Sequence, residues 1–223
     1  MIERRTVHTL GQLRAAYNEL YARAEFGEKD ALYARVLRLL EASPGEPVLD
    51  VGCGGGQFLC YARQAGLRPL GLDLADGALA RARARGLDGL VLAQGERLPF
   101  AEAAFARLAC LGNLEHFLDP AAGARELWRV LAPGGRAAVL LPNAYYSGDI
   151  WRVIRSGRGP DHHQAIDRFA TCEEWRDLLQ AAGFTVLRVE RWDKGKLWKR
   201  LLPFHLAYHF LFQLAREPSS RLV

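Results

Sequence analysis

The 223-residue chain has little cysteine: Cys53, Cys60, Cys110 and Cys172 are all it carries, with no Cys-x-x-Cys spacing and no grouping of metal-ligand type. That excludes a dense disulfide framework, argues against a zinc site, and suits a reducing, cytoplasmic setting. Long apolar runs are missing too. None reaches the ~20 residues that a bilayer span needs, and Met1-Ile2-Glu3-Arg4-Arg5 lacks the apolar core of a secretory signal. There is no internal repeat and no low-complexity tract. Acid is outnumbered, 25 residues against 30 lysines and arginines, for a net charge of +5. An excess this mild permits an anionic partner without demanding one.

What is present is a globular composition, half hydrophobic and a quarter charged, long enough for one domain with a full core. Residues 48 to 59 read Val-Leu-Asp-Val-Gly-Cys-Gly-Gly-Gly-Gln-Phe-Leu. This is an apolar strand with one acid, a glycine-rich turn, and the start of a helix. Such a turn brings a ligand close to bare backbone, in front of a helix end that offers unpaired N–H groups.

Downstream the chain alternates strand and helix with short connections. Strands are expected over 69 to 72, 89 to 93, 105 to 111 and 136 to 141, with helices at 57 to 64, 76 to 85 and 120 to 131. That alternation predicts a parallel, doubly wound α/β sheet of about six or seven strands with helices on both faces. Residues 1 to 44 read as a helical preface broken near Gly27. Residues 45 to 193 read as the core, with an irregular, substrate-side insertion at 144 to 170. Thr171-Cys172-Glu173-Glu174 is a capping box opening a further helix, and a strand follows over 184 to 191 with no hairpin partner assigned. Residues 194 to 223 read as an apolar C-terminal helix with a narrow polar stripe, to be covered by packing, by a second copy, or by a membrane surface. His205 and His209 have the spacing of a metal pair, but no third ligand or acid joins them, so no metal is expected.

The glycine pattern separates two cofactor types. A dinucleotide fingerprint would put its third glycine at position 57, which is Gln57; glycine instead fills Gly52, Gly54, Gly55 and Gly56. Asp50 suits a ligand with an ammonium group, whereas a pyrophosphate gains nothing from an acid there. Asp73, at the next strand's tip, is placed to accept from ribose hydroxyls.

Taken in order, residues 48 to 56, Gly71-Leu72-Asp73, residues 94 to 100, residues 113 to 119 and residues 129 to 135 resemble the five motifs of a class I S-adenosylmethionine-dependent methyltransferase with a Rossmann-like fold. The type is the small-molecule one that includes ubiquinone and menaquinone methyltransferases. The resemblance covers roughly residues 45 to 190. It implies S-adenosyl-L-methionine as cofactor, with S-adenosyl-L-homocysteine as product. Asp50, Gly52, Cys53 and Gly54 would hold the methionine part, and Asp73 the ribose with Leu74 against the adenine. Gln94, Gly95 and Glu96 would border the adenine edge, and Asn113 and Leu114 would lie near the sulfonium. Many relatives carry Asp where this chain has Gln94; a glutamine carbonyl still accepts the adenine bond without charge assistance.

His116 follows the fourth strand and is the candidate base. Tyr21 from the preface, and Tyr145, Tyr146, His162, His163 and Arg168 from the insertion, are the candidate acceptor-side residues. The expected acceptor is a small molecule methylated at oxygen, nitrogen or carbon. Nucleic acid is not expected: amino-group methylation of bases uses an Asn/Asp-Pro-Pro-aromatic loop after the fourth strand, where this chain has Gly112-Asn113-Leu114-Glu115. Methylation of nucleic acid or protein, and a non-catalytic cofactor-binding regulator, are the competing functions.

Overall fold

A computed structural model describes residues 1–24, 28, 30–158, 164–193 and 202–218. Seven strands form the central sheet in the order β4-β3-β2-β5-β6-β9-β8. They are β2 (Pro47–Val51), β3 (Arg68–Asp73), β4 (Leu90–Leu92), β5 (Phe105–Leu111), β6 (Leu131–Pro142), β8 (Thr185–Trp192) and β9 (His209–Ala215). The first five run parallel; β9 lies antiparallel to both β6 and β8. Seven helices are described: α1 (Leu10–Arg23), α2 (Asp30–Leu40), α3 (Gln57–Gln64), α4 (Asp76–Ala84), α5 (Pro120–Val130), α6 (Ser147–Ser156) and α7 (Cys172–Ala181). None is long and apolar enough to cross a membrane.

The helices begin and end where local chemistry says they should. Thr9 caps α1 and Thr171 caps α7, each with a reciprocal capping box, and Asp119 caps α5 ahead of Pro120. The apolar faces of α5 and α7 bury Leu127, Val130, Trp175 and Leu179 on one side of the sheet. On the other, α2 and α3 bury Leu32, Val36, Leu40 and Phe58. The central strands are therefore covered on both faces, which is why they read as near-continuous apolar runs.

The C-terminal segment is a correction. Its described part holds no long helix: residues 209 to 215 are β9, inserted between β6 and β8 and buried from Phe210 to Ala215. A strand covered on both faces loses the alternation that marks a strand, so His209-Phe210-Leu211-Phe212-Gln213-Leu214 imitates an apolar helix. The supposed polar stripe is structural. Gln213 Nε2 donates to Leu39 O at 2.7 Å. The Arg216 guanidinium donates to the carbonyls of Arg129 and Leu131 at the end of α5 and lies 4.0 Å over the Trp128 ring. The apolar face offered for a dimer or membrane contact is thus largely the interior of the sheet; residues 194–201 and 219–223 lie outside the described residues.

The insertion is also more ordered than expected, since it contains α6 and β7 (Ile166–Phe169). The N-terminal preface is not wholly helical: β1 (Ile2–Arg5) pairs antiparallel with β7, setting Glu3 opposite Arg168.

The placement of β9 has a measurable consequence. Phe212 is fully buried within it, so Phe212→Ala should cost about 3–5 kcal/mol in urea unfolding. A loss under about 1 kcal/mol would mean the segment is peripheral.

Candidate functional site

The site forms where β2, β3 and β5 end. The N–H groups of Gly52 and Cys53 donate to Leu72 O at 2.7 and 2.9 Å, so the turn leaving β2 is pinned to β3. Gly52 has φ +77°, and a Cβ there would fall 2.0 Å from the Asn113 side chain. Asn113 itself donates to Gly52 O at 3.3 Å, tying the end of β5 to the same turn. Gly56 is left-handed at φ 82° and heads α3 without a side-chain cap, leaving that helix end as backbone donors.

Two acids stand at adjacent strand tips. Asp73 accepts from the N–H of Gly54 and of Ala75, both at 2.8 Å. Burial raises its pKa, and these backbone donors partly offset that rise. An ionised carboxylate takes roughly four such bonds, so acceptor capacity remains. Asp50 is in a harsher place. It is 3% exposed, its Oδ1 has no partner among the described residues, and burial together with the charge of Asp73 pushes it up to about 8. A cation brought beside it would supply the missing partner.

Two cavities open from this point and share Tyr21, Gly52, Asn113 and His116 in their walls. The larger, about 280 Å³, reaches from Asp50 and the glycine turn past the ends of β5 and β6 to α6 and β7. The smaller, about 40 Å³, lies between α1 and the tip of β3, walled by Leu13, Tyr17, Asp73, Leu74, Gly95 and Glu96. It has room for a few waters, so a purine entering there must displace α1. The buried Tyr17 hydroxyl beside it has no partner among the described residues.

His116 Nδ1 lies 2.5 Å from Ile166 O, which as a carbonyl only accepts, so Nδ1 carries the proton and Nε2 is the acceptor in the neutral ring. Glu115 Oε1 is 3.8 Å from Nε2, and Asp167 Oδ1 is 3.9 Å from Nδ1. Sequence reasoning missed Glu115 as a site residue. It is 3% exposed in the wall of the larger cavity, its Oε2 lacks a partner among the described residues, and burial pushes it up to about 8. An acid between Leu114 and His116 just after a strand was the available signal, but only the fold places it in the cavity wall.

The other expected residues divide. Cys53 and Gly54 line the larger cavity, and the Tyr21 hydroxyl lies over Gly54, 2.6 Å from where a Cβ would be. Tyr146 lines it as well, edge-on to Tyr208 at 4.8 Å. Glu96 lines the smaller cavity while accepting from Leu118 N at 2.7 Å. Gln94 is half-buried and lines neither cavity. Leu114 is a correction: it is fully buried in the main core beside Phe117, facing away from both cavities because the short helical turn at 114 to 116 points it into the packing. Arg168 is another. At 2% exposure its guanidinium is held by Glu3 at 2.6 Å and by the carbonyls of Glu115, Phe117 and Leu118, so it clamps the turn after β5 and does not meet an acceptor. Tyr145 is 55% exposed beside a separate apolar hollow near α6. His162 and His163 lie outside the described residues.

Comparison with known proteins follows the same lines. Residues 49–139 match the methyltransferase domain family. The chain is 32% identical over 183 residues to an uncharacterized methyltransferase of Synechocystis, covering 77% of this chain and 82% of that one. It is 37% identical over 114 residues to a demethylmenaquinone methyltransferase of Corynebacterium kroppenstedtii, covering 51% of this chain and 49% of that one. The chain thus spans about half the length of that relative. In fold it resembles an S-adenosylmethionine-dependent methyltransferase of Mesorhizobium loti, with TM-score 0.65, 22% identity, and coverage of 83% of this chain and 98% of that one.

The buried acids give a pH dependence. Asp50 and Glu115 keep their protons to higher pH in the folded state than in the unfolded chain, where carboxyls titrate near about 4. Between about pH 4 and 8 the folded state therefore binds more protons, and stability falls as pH rises, each group contributing at most about 1.4 kcal/mol per pH unit. Urea unfolding of the ligand-free protein from pH 5 to 8 should show this decline, and Asp50→Asn should flatten it; identical slopes for the two proteins would contradict the burial of an unpartnered acid.

Proposed function

The chain belongs to the S-adenosylmethionine-dependent methyltransferases, and on that premise we propose that it moves the methyl group of S-adenosylmethionine to a small-molecule acceptor. The observation that carries the proposal is the orphaned Asp50 carboxylate beside the glycine turn. It suits the ammonium of an amino acid, and the N–H groups at the head of α3 suit the matching carboxylate. The spare acceptor capacity of Asp73 suits the ribose hydroxyls. Leu74, Gly95 and Tyr17 suit the adenine, with α1 acting as the lid that closes over it. When bound, the cofactor supplies an electrophilic methyl group on a sulfonium, and with it most of the driving force.

What the protein adds is position and a place for a proton. The larger cavity runs on directly from the glycine turn, so an acceptor within it lies against the cofactor's amino acid end. Its size is of the order expected for a small-molecule pocket. The name of the corynebacterial relative supports an acceptor of that class. His116 Nε2 takes the proton of an acceptor that arrives protonated, and Glu115 and Asp167 stabilise the imidazolium that results.

Calorimetric titration tests the reading. S-adenosylmethionine should bind the purified protein, and Asp73→Ala should weaken that binding by roughly tenfold or more; unchanged affinity would overturn the ribose assignment. His116→Ala should keep cofactor affinity and lose about 10²-fold or more in turnover of a protonated acceptor. Full activity would remove it from the chemistry.

A further inference from the structure

The larger cavity is opposite in charge to the chain that encloses it. The protein carries a net charge of +5, yet Glu28, Asp50, Glu115, Asp149 and Asp167 line this space, and among the described residues no lysine or arginine does. Aromatic rings complete the walls, with Tyr33, Phe58, Tyr146, Phe169 and Tyr208 facing in.

Asp50 is accounted for by the amino acid end of the cofactor. Glu115 is not. More than nine-tenths buried, it stands in the cavity wall, and its Oε2 has no partner among the described residues. Arg168 is the cation nearest in effect, and its guanidinium is already directed to Glu3 and to three main-chain carbonyls.

We infer that the methyl acceptor carries an amine, held as an ammonium ion against the Glu115 carboxylate and the aromatic walls of this cavity. The inference rests on the methyl-transfer reading above and names the acceptor class for it. An anionic acceptor would meet several acidic side chains in the cavity wall. A neutral hydroxyl would bring no charge to favour ionised Glu115. An ammonium satisfies both features at once: it restores the ionised form of a carboxyl that burial has pushed up to about 8, and it is attracted to ring faces. For transfer, the bound ammonium gives one proton to His116 Nε2. The freed nitrogen lone pair forms the N–C bond as the C–S bond breaks, the bonding electrons stay with sulfur, and the product leaves as a methylated ammonium.

The test is calorimetry on the full chain saturated with S-adenosylhomocysteine, titrated with benzylamine, 2-phenylethylamine and cyclohexylmethylamine and with their matched alcohols and carboxylates. At least one amine should bind roughly tenfold tighter than its alcohol, with the carboxylates weakest. Glu115→Gln should bring amine and alcohol to within about twofold while S-adenosylhomocysteine affinity is retained, and Glu115→Asp, which keeps the charge, should retain part of the preference. Alcohols or carboxylates binding as tightly as the amines would overturn the inference. So would the absence of amine binding to the loaded protein, or a preference that survives Glu115→Gln. Failure of the unmodified protein to bind S-adenosylmethionine or S-adenosylhomocysteine would instead overturn the methyl-transfer reading on which this one stands.

Discussion

Burying a carboxyl group without a cation is among the costlier things a fold can do, and this structure does it at Asp50 and Glu115 in the wall of one cavity. Asp50 stands beside Gly71 on the neighbouring strand β3, where a side chain would collide with Leu59 and Cys53. Asp73 sits at that strand's tip and is eased by the backbone N–H groups of Gly54, in the glycine turn, and of Ala75. Glu115, after β5, has no such relief at Oε2 among the described residues. The parallel sheet makes this geometry: strand ends converge at one edge, and helices on both faces keep water away. Burial pushes Asp50 and Glu115 up to about 8, and a cationic ligand beside them would favour their ionised forms.

The remaining elements keep those acids in place. Asn143 donates to the carbonyls of His205 and Ala207 and accepts from Tyr145 N, joining the end of β6 to the approach of β9. Arg168 gathers the turn carrying Glu115 and His116 and ties it to β1 through Glu3. The N-terminal strand, the insertion and the C-terminal strand thus converge behind the cavity, although they are far apart in the chain. His116 gains its orientation from the same arrangement, because the carbonyl that fixes its tautomer belongs to β7.

The distribution of charge follows a related logic. Arginines are spread over the outside of the protein and acids are concentrated inside the cavity, so the field within the cleft is set by the acids and sharpened by its low-dielectric walls. Net charge alone permitted an anionic partner without demanding one. The interior points the other way.

The sequence by itself determined the parallel part of the sheet and the glycine turn at its edge. Alternating strand and helix signals, the glycines from 52 to 56, and acids at positions 50 and 73 are local patterns, and backbone chemistry acts locally on each of them. It did not determine β9, because a strand buried on both faces has no alternation to read. Nor did it separate Leu114 from Glu115, adjacent residues of which one entered the core and the other the cavity. Arg168 looked like a ligand for an acceptor and proved to be a clamp, since its partners are carbonyls some fifty residues away. Which side chains line the larger cavity was decided only by tertiary structure, because the direction of a side chain in a turn is fixed by packing from elements distant in the chain.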